Sequence, residues 1–439
     1  MKIDKSIVYN LPRPVYVFLK FLRDFFSNAQ IYYEARIAPF LTVYAGWVFW
    51  PVYKLLAALN IYFVANIGEA TGHIVTELDS FFRKQKLNKI DNNKRYVWIR
   101  KNTPLSKACV QMYRHKFWFA SSSTFIYNLL FPLIIRYKSI TLDCGYGGYK
   151  WQLPDGLNYN KTKYGQKFWY LYKLSKTERD RDYMEYAKLR FNSQEYFPLS
   201  EGKHINADNE LIGFLSGGVE KLALIHIKDQ RVNGTAEPTS PATYGKALQY
   251  LIDQGYRLVF VGREKMPDEF LRYKIVNYAN SGIATFKHDI QLFMMAKLAI
   301  TGGSGISWLA DCLDKPYLYL NSWFLNYNFQ SHSKRCIIVP ALVQKYSGEL
   351  LKFSEQIDLY KNLLLSSEGP DAFPEGQYKG RNASDDEILA GAQELIAPKE
   401  PSSQSSLLQE RFRKLDVDSM FWVSSRISGY FLQKYAGLL

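Results

Sequence analysis

The stretch Leu298–Asn321, LAITGGSGISWLADCLDKPYLYLN, restricts the fold more than any other part of the chain. Leu298–Ile300 is an apolar run that reads as the end of a buried strand. Thr301-Gly302-Gly303-Ser304-Gly305 reads as a turn, after which Ile306, Leu309, Ala310 and Leu313 recur at helical spacing. Asp314-Lys315-Pro316 ends that helix, and Tyr317–Leu320 is the next strand. Strand, glycine turn, helix and strand make one unit of a parallel α/β sheet, whose ligands sit beyond the carboxyl ends of the strands. Glycines there let the backbone approach a phosphate, and the helix N-terminus offers N–H groups with a partial positive charge. Ser304 and Ser307 add hydroxyls, although Ser304 serves equally as an N-cap.

The residues before this stretch repeat the pattern. Leu222–Ile227 is a buried strand whose exit carries His226, Lys228, Asp229 and Arg231, cations suited to a diphosphate and a carboxylate suited to a ribose or to base catalysis. Thr239–Gln254 reads as a helix, with Pro241 near its start and Gly255 as its stop. Leu258–Val261 is a strand ending in Gly262-Arg263-Glu264. Phe270–Ala279 reads as helical, and Ile283–Phe286 leads to Lys287-His288-Asp289, with Asp289 as N-cap of a short helix to Lys297. Polar clusters at four strand ends, gathered at one edge of a right-handed parallel sheet, point to a phosphate or nucleotide site.

The first half differs in charge. Residues 1–200 hold 30 Lys and Arg against 14 Asp and Glu, and the remainder 26 against 27, so all of the net +15 lies in the first half. That half is expected to face something anionic: phospholipid, an acidic glycan or nucleic acid. Aromatic residues make up 16% of the chain, which suits sugar stacking, a membrane interface or core packing. Residues 37–65 are strongly apolar with Lys54 as the single charge, but Pro39 and Pro51 interrupt them. Trp47-Val48-Phe49-Trp50 beside Lys54 reads as an interfacial anchor or as part of a buried helix pair packed on the first domain, rather than as a membrane span.

Ile61–Asn66 reads as the first strand, and a helix follows to about Lys86. Its connection carries Glu69 and His73, each able to act as a general base, but no G-x-G-x-x-G order, which argues against a dinucleotide site. Tyr96–Arg100, Phe117–Ala120 and Ser139–Leu142 read as further strands, and Lys176–Leu189 as helical. The four cysteines fit no metal spacing. The first 15 residues hold Asp4, Pro12 and Pro14 and no signal-peptide core, so a cytoplasmic protein is expected. The divisions are a hydrophobic, basic segment 1–60 in candidate contact with a membrane surface, an acceptor domain 61–215, a donor domain 216–400 and a helical segment 401–439. Ser384-Asp385-Asp386-Glu387 has capping-box chemistry.

Two Rossmann-like halves facing across a cleft, with a terminal helix returning to the first, describe a GT-B architecture within the α/β class. The residues resemble the GT-B glycosyltransferases encoded in bacterial surface-polysaccharide (capsule and O-antigen) loci. The resemblance runs from about Asn66 to the end: N-I-G…G-H…E-x-D (Asn66 to Asp79), the strand Ala223–Lys228, T-Y-x-x-A-L-x-Y-L-I-x-x-G-Y (Thr243 to Tyr256), D-I-x-L-F (Asp289 to Phe293), T-G-G-S-G (Thr301 to Gly305), S-D-D-E-I (Ser384 to Ile388) and S-R-I-S-x-x-F-L (Ser425 to Leu432). The second half is also distantly similar to GT-B fucosyltransferases, which have H-x-R where this chain has His226-Ile227-Lys228; Arg231 or Arg263 would then take the arginine's role.

The resemblance implies a cytoplasmic enzyme, at the inner face of the plasma membrane, that moves a sugar from a nucleotide-activated donor to a lipid-linked glycan acceptor, with no metal and no cofactor beyond the nucleotide-sugar substrate. His226, Lys228, Arg231, Gly262, Arg263, His288, Asp289 and Thr301, Gly302, Gly303, Ser304, Gly305 would bind the donor, and Glu69, His73 and Asp229 are the catalytic candidates. The partners expected are the donor, the acceptor and an anionic membrane surface, without nucleic acid, since charge is its only signal. The alternatives are a GT-B-fold nucleotide-sugar epimerase and a non-catalytic glycan- or membrane-binding subunit.

Overall fold

The computed structural model describes residues 46–65, 71–144, 149–151, 171–173, 185–186, 188–190, 192–193, 195–216, 219–227, 239–323, 335–365, 377–396, 403–415 and 425–439. In the first domain a 3-10 turn (Gly46–Phe49) enters α1 (Trp50–Ala58). The chain continues through β1 (Ile61–Ala65), α2 (Thr71–Lys86), β2 (Arg95–Ile99), α3 (Pro104–Tyr113), β3 (Phe119–Ser121), α4 (Thr124–Arg136) and β4 (Thr141–Asp143). The four strands lie parallel in the order β3-β2-β1-β4. A small antiparallel pair, β5 (Tyr149–Trp151) and β6 (Leu171–Lys173), stands apart.

A short helix, α5 (Asn209–Leu215), precedes the second domain. There β7 (Leu222–Ile225), α6 (Gly245–Asp253), β8 (Arg257–Phe260), β9 (Val276–Asn277), α7 (Phe286–Met295), β10 (Leu298–Gly302), α8 (Gly305–Cys312), β11 (Tyr317–Trp323) and β12 (Cys336–Lys345) follow in turn. Their order is β9-β8-β7-β10-β11-β12, all parallel, with β13 (Tyr378–Arg381) antiparallel at the edge. Counted within the domain this is 3-2-1-4-5-6, the doubly wound order, and the sequence direction reverses between β7 and β10. The α/β architecture of two Rossmann-like sheets is therefore present. The β7 and β10 strands are buried at every residue, as a sheet covered on both faces requires.

Several expectations are corrected. Phe270–Ala279 is not a helix: a 3-10 turn (Asp268–Tyr273) ends at Lys274 in the left-handed region, and Val276–Asn277 pairs with β8. The β-branched Ile275-Val276 pair outweighs the helical spacing because the crossover needs a strand there. The α7 helix begins at Phe286 with Thr285, not Asp289, as its cap, so His288 and Asp289 lie in a helical first turn rather than at a strand end. Thr301 and Gly302 complete β10 instead of opening a turn.

After α9 (Phe353–Leu365) and α10 (Asp385–Ile396), the terminal segment forms α11 (Ser403–Lys414), β14 (Arg426–Ile427) and α12 (Gly429–Lys434). The β14 strand joins β12, and α12 packs on α10 and α11. Its principal contacts are thus with the second domain, where the expected return would have taken it to the first. The capping box at α10 is as expected: the Ser384 N–H donates to Glu387 Oε2 at 2.9 Å, and the Glu387 N–H to Ser384 Oγ at 3.4 Å.

The domains meet through α2 and α8. Asp79 of α2 accepts from Arg83 Nε at 2.8 Å, from the Tyr186 hydroxyl at 2.7 Å and from Arg190 Nη1 at 3.3 Å. The other arm of Arg190 donates to the Asp311 carbonyl of α8 at 2.9 Å, with the Asp311 carboxylate at 3.3 Å. Burial opposes the charge on Asp79, but the two arginines outweigh it and hold the carboxyl below its usual range.

Candidate nucleotide site at the switch point

The reversal between β7 and β10 opens the crevice where doubly wound sheets take their ligands. His226 follows β7 directly and is buried at 1% exposure. Its Nε2 lies 3.2 Å from Glu264 Oε2, and its Nδ1 lies 3.4 Å from Ser304 Oγ. Glu264 Oε2 also accepts the Arg263 N–H at 3.0 Å. Gly262 makes this approach possible, with φ +114 and a position where a Cβ would stand 2.6 Å from His226 Cδ2. One imidazole is thus clamped between the ends of β8 and β10, across the switch point.

Below it, Gly302 and Gly303 leave a shallow cradle. Among the described residues, a Cβ on Gly303 would meet only the Tyr319 hydroxyl, at 3.6 Å. Thr301 is fully buried and its Oγ1 has no hydrogen-bond partner among the described residues. Ser304 caps α8 through the Ile306 N–H at 3.3 Å, so the N-cap role and proximity to His226 coexist in one residue. Gly305 does not face this cradle: its Cβ would lie 2.8 Å from the Gly72 amide nitrogen, at the N-terminus of α2. The positive ends of two helices, one from each domain, therefore meet beside the crevice.

Asp289 sits further along the same edge. The Tyr278 hydroxyl is 3.1 Å from its Oδ1, and burial pushes its carboxyl up to about 7. Arg263 is exposed, and its positive charge acts on Asp289 in the opposite sense. His288 turns elsewhere, toward Asp208 of the segment between the domains. His73 lies half-buried in the first turn of α2. Glu69, Lys228, Asp229 and Arg231 lie outside the described residues.

Of the expected donor residues, the structure gathers His226, Gly262, Arg263, Gly302, Gly303 and Ser304. It adds Glu264, which the G-R-E strand exit already displayed, and Gly72, whose role depends on a contact with the other domain.

No family model matches the chain, and no curated protein does. Among solved structures it is similar to the glycosyl transferase family 9 protein of Veillonella parvula DSM 2008, at 11% identity over 77% of this chain and 97% of that one, with TM-score 0.42. It is similar to the dodecameric iron-containing heptosyltransferase TibC of enterotoxigenic E. coli, solved with ADP-D-β-D-heptose, at 12% identity over 63% of this chain, with TM-score 0.33. The chain covers 61% of TibC, less than two thirds of its length. E. coli heptosyltransferase WaaC with ADP matches at 14% identity over 59% of this chain and 86% of that one, with TM-score 0.30.

Proposed function

We propose that this chain is a glycosyltransferase of bacterial surface-polysaccharide synthesis, moving a hexose or related sugar from a nucleotide-activated donor to a lipid-linked glycan. The observation that carries the reading is His226, held between Glu264 and Ser304 above a glycine cradle at the switch point. In this reading the leaving diphosphate lies against Gly302–Ser304 and the N-terminus of α8. His226 and Arg263 stabilise its charge, with no metal at the phosphate. Lys228 and Arg231 follow in the chain and are assigned to the same task. His73 stands on the opposite domain, at the α2 end of the crevice, as the base for an acceptor hydroxyl in an inverting reaction, a role shared as candidate with Glu69.

An anionic membrane face is assigned to the first domain. Trp47, Trp50 and Leu55 on one side, and Phe125 and Leu129 of α4 on the other, are exposed. The stacked Tyr53 and Tyr137 rings, 4.3 Å apart, tie α1 to the end of α4. From Arg95 to Leu142 the chain has eight Lys and Arg and no Asp or Glu. Exposed aromatics beside a basic chain segment without acidic residues suit anionic phospholipid. No helix among the described residues is long and apolar enough to cross a membrane.

A thermal-shift panel of UDP, GDP, CMP, ADP and dTDP tests the reading. A selective rise for one nucleotide, lost in His226→Ala and Arg263→Ala, supports it and names the donor class. No rise with any nucleotide at millimolar concentration, with or without a glycan acceptor, overturns it in favour of the non-catalytic binding subunit. Turnover of a nucleotide sugar without acceptor would favour the epimerase.

A further inference from the structure

Outside the crevice, one cluster of ligating side chains joins the segment between the domains to α7. Asp208 caps α5 through Oδ1, which accepts the Leu211 N–H at 3.1 Å, and this leaves Oδ2 turned toward α7. His288 of α7 is buried, with Nε2 3.2 Å from Asp208 Oδ2 and 3.8 Å from Glu210 Oε2. The three ligand atoms lie within 4.8 Å of one another, the one such group among the described residues. On its other side, His288 Nδ1 is 2.7 Å from the Ile283 carbonyl oxygen. A carbonyl can only accept, so Nδ1 donates to it and Nε2 is aimed at the two carboxylates.

The spacing fits a divalent cation. Tetrahedral zinc with bonds of about 2.0–2.1 Å sets its ligand atoms about 3.3–3.5 Å apart, and the two His288 separations bracket this value. An imidazole whose second nitrogen donates to a backbone carbonyl is the usual orienting arrangement for a metal ligand. One imidazole nitrogen with two carboxylates also selects a first-row divalent ion over magnesium, which prefers oxygen alone. Lys287 supplies the competing charge: its Nζ lies 2.6 Å from Asp208 Oδ2. The helix is further joined to this segment by Gln291, whose Nε2 donates to the His204 and Asn206 carbonyls at 2.8 and 2.7 Å.

We infer that Asp208, Glu210 and His288 form a binding site for a divalent transition ion of the zinc class, with water completing the shell. The ion fastens the interdomain segment to α7. It takes no part in sugar transfer, and the site stands whether or not the chain is a transferase. Binding displaces the Lys287 ammonium from Asp208.

The test is a Zn²⁺ titration of the full chain after chelator treatment and dialysis, read by competition with a chromophoric chelator and by metal content per chain. One equivalent is expected, with Mg²⁺ failing to compete. Affinity should fall about 10-fold or more in His288→Ala and in Glu210→Gln. Glu210 is well exposed, so Glu210→Gln should keep the wild-type circular dichroism spectrum, separating ligand loss from misfolding. Lys287→Met should bind zinc several-fold more tightly, because it removes the competitor. Absence of a stoichiometric site, or zinc binding unchanged in Glu210→Gln and His288→Ala, overturns the inference. Weaker binding in Lys287→Met would also count against it.

Discussion

Gly72 and Gly305 stand back to back where the two domains join, so close that a Cβ on Gly305 would lie 2.8 Å from the Gly72 amide nitrogen. Each is at the start of a helix, α2 in the first domain and α8 in the second. Gly305→Ala is expected to cost about 1–3 kcal/mol by forcing two backbones apart. Gly303→Ala places its Cβ in ordinary contact and is expected to leave stability unchanged while removing nucleotide binding. Thermal unfolding with and without nucleotide separates the two; equal destabilisation by both would remove the distinction between interface and cradle.

Glu264 holds His226 from one side only, and its carboxylate is partly solvated. Glu264→Gln keeps the volume and removes the charge. Nucleotide affinity is expected to fall by about 10-fold as His226 loses the partner that orients it, and the melting temperature to fall as well, since one charge-assisted hydrogen bond within the fold contributes roughly 1.5–3 kcal/mol. Isothermal titration with the selected nucleotide measures this, and wild-type affinity in the variant would remove His226–Glu264 from the site.

Arg190 is the bridge between Asp79 and Asp311 and is almost fully buried. Arg190→Ala takes one cation from both buried carboxylates, leaving Asp79 with Arg83 and Asp311 with the Tyr317 hydroxyl at 3.3 Å, and is expected to cost about 3–5 kcal/mol. Adding Asp311→Asn should recover part of that loss, which urea denaturation of the single and double variants would show.

Glu387 anchors the chain terminus. Its Oε1 takes Lys434 Nζ at 2.7 Å, the Tyr435 hydroxyl at 2.5 Å and Arg381 Nη2 at 3.0 Å. Burial raises its pKa, but these donors outweigh burial and hold the carboxyl below its ordinary value. The folded pKa therefore lies under the unfolded one, about 4.3, and the stabilisation is complete above that value and lost as pH falls through the folded pKa. The melting-temperature gap between wild type and Glu387→Gln should be widest near neutral pH and close in acid. A gap independent of pH would assign the contribution to packing alone.

Much of the fold was legible in local sequence. The apolar runs Leu222–Ile227, Leu258–Val261 and Leu298–Ile300 are strands because a sheet covered on both faces demands uninterrupted apolar residues. Ser384 and Glu387 make a capping box because both partners lie within one helical turn. These signals act over a few residues, and neighbouring residues determine them. The clustering of polar exits at one sheet edge was legible for the same reason, since parallel topology alone brings strand ends together.

What tertiary structure decided lies at long range. Val276–Asn277 is a strand because β8 offers an open edge, which outweighs the helical spacing of the segment. Glu264 is defined by His226, 38 residues away, and Asp208 by His288, 80 residues away. The terminal segment settles on the second domain because β13 covers β12 only from Leu342 to Lys345, which leaves Ile337 and Ile338 for β14, and because Glu394 accepts the Ser428 hydroxyl at 2.7 Å and the Gly429 N–H at 3.1 Å. Sequence determined which residues could form strands, helices and caps, because those preferences are energies of short segments. Only packing chose between equal local alternatives, because a strand edge, a buried charge or a glycine contact gains its energy from a partner elsewhere in the chain.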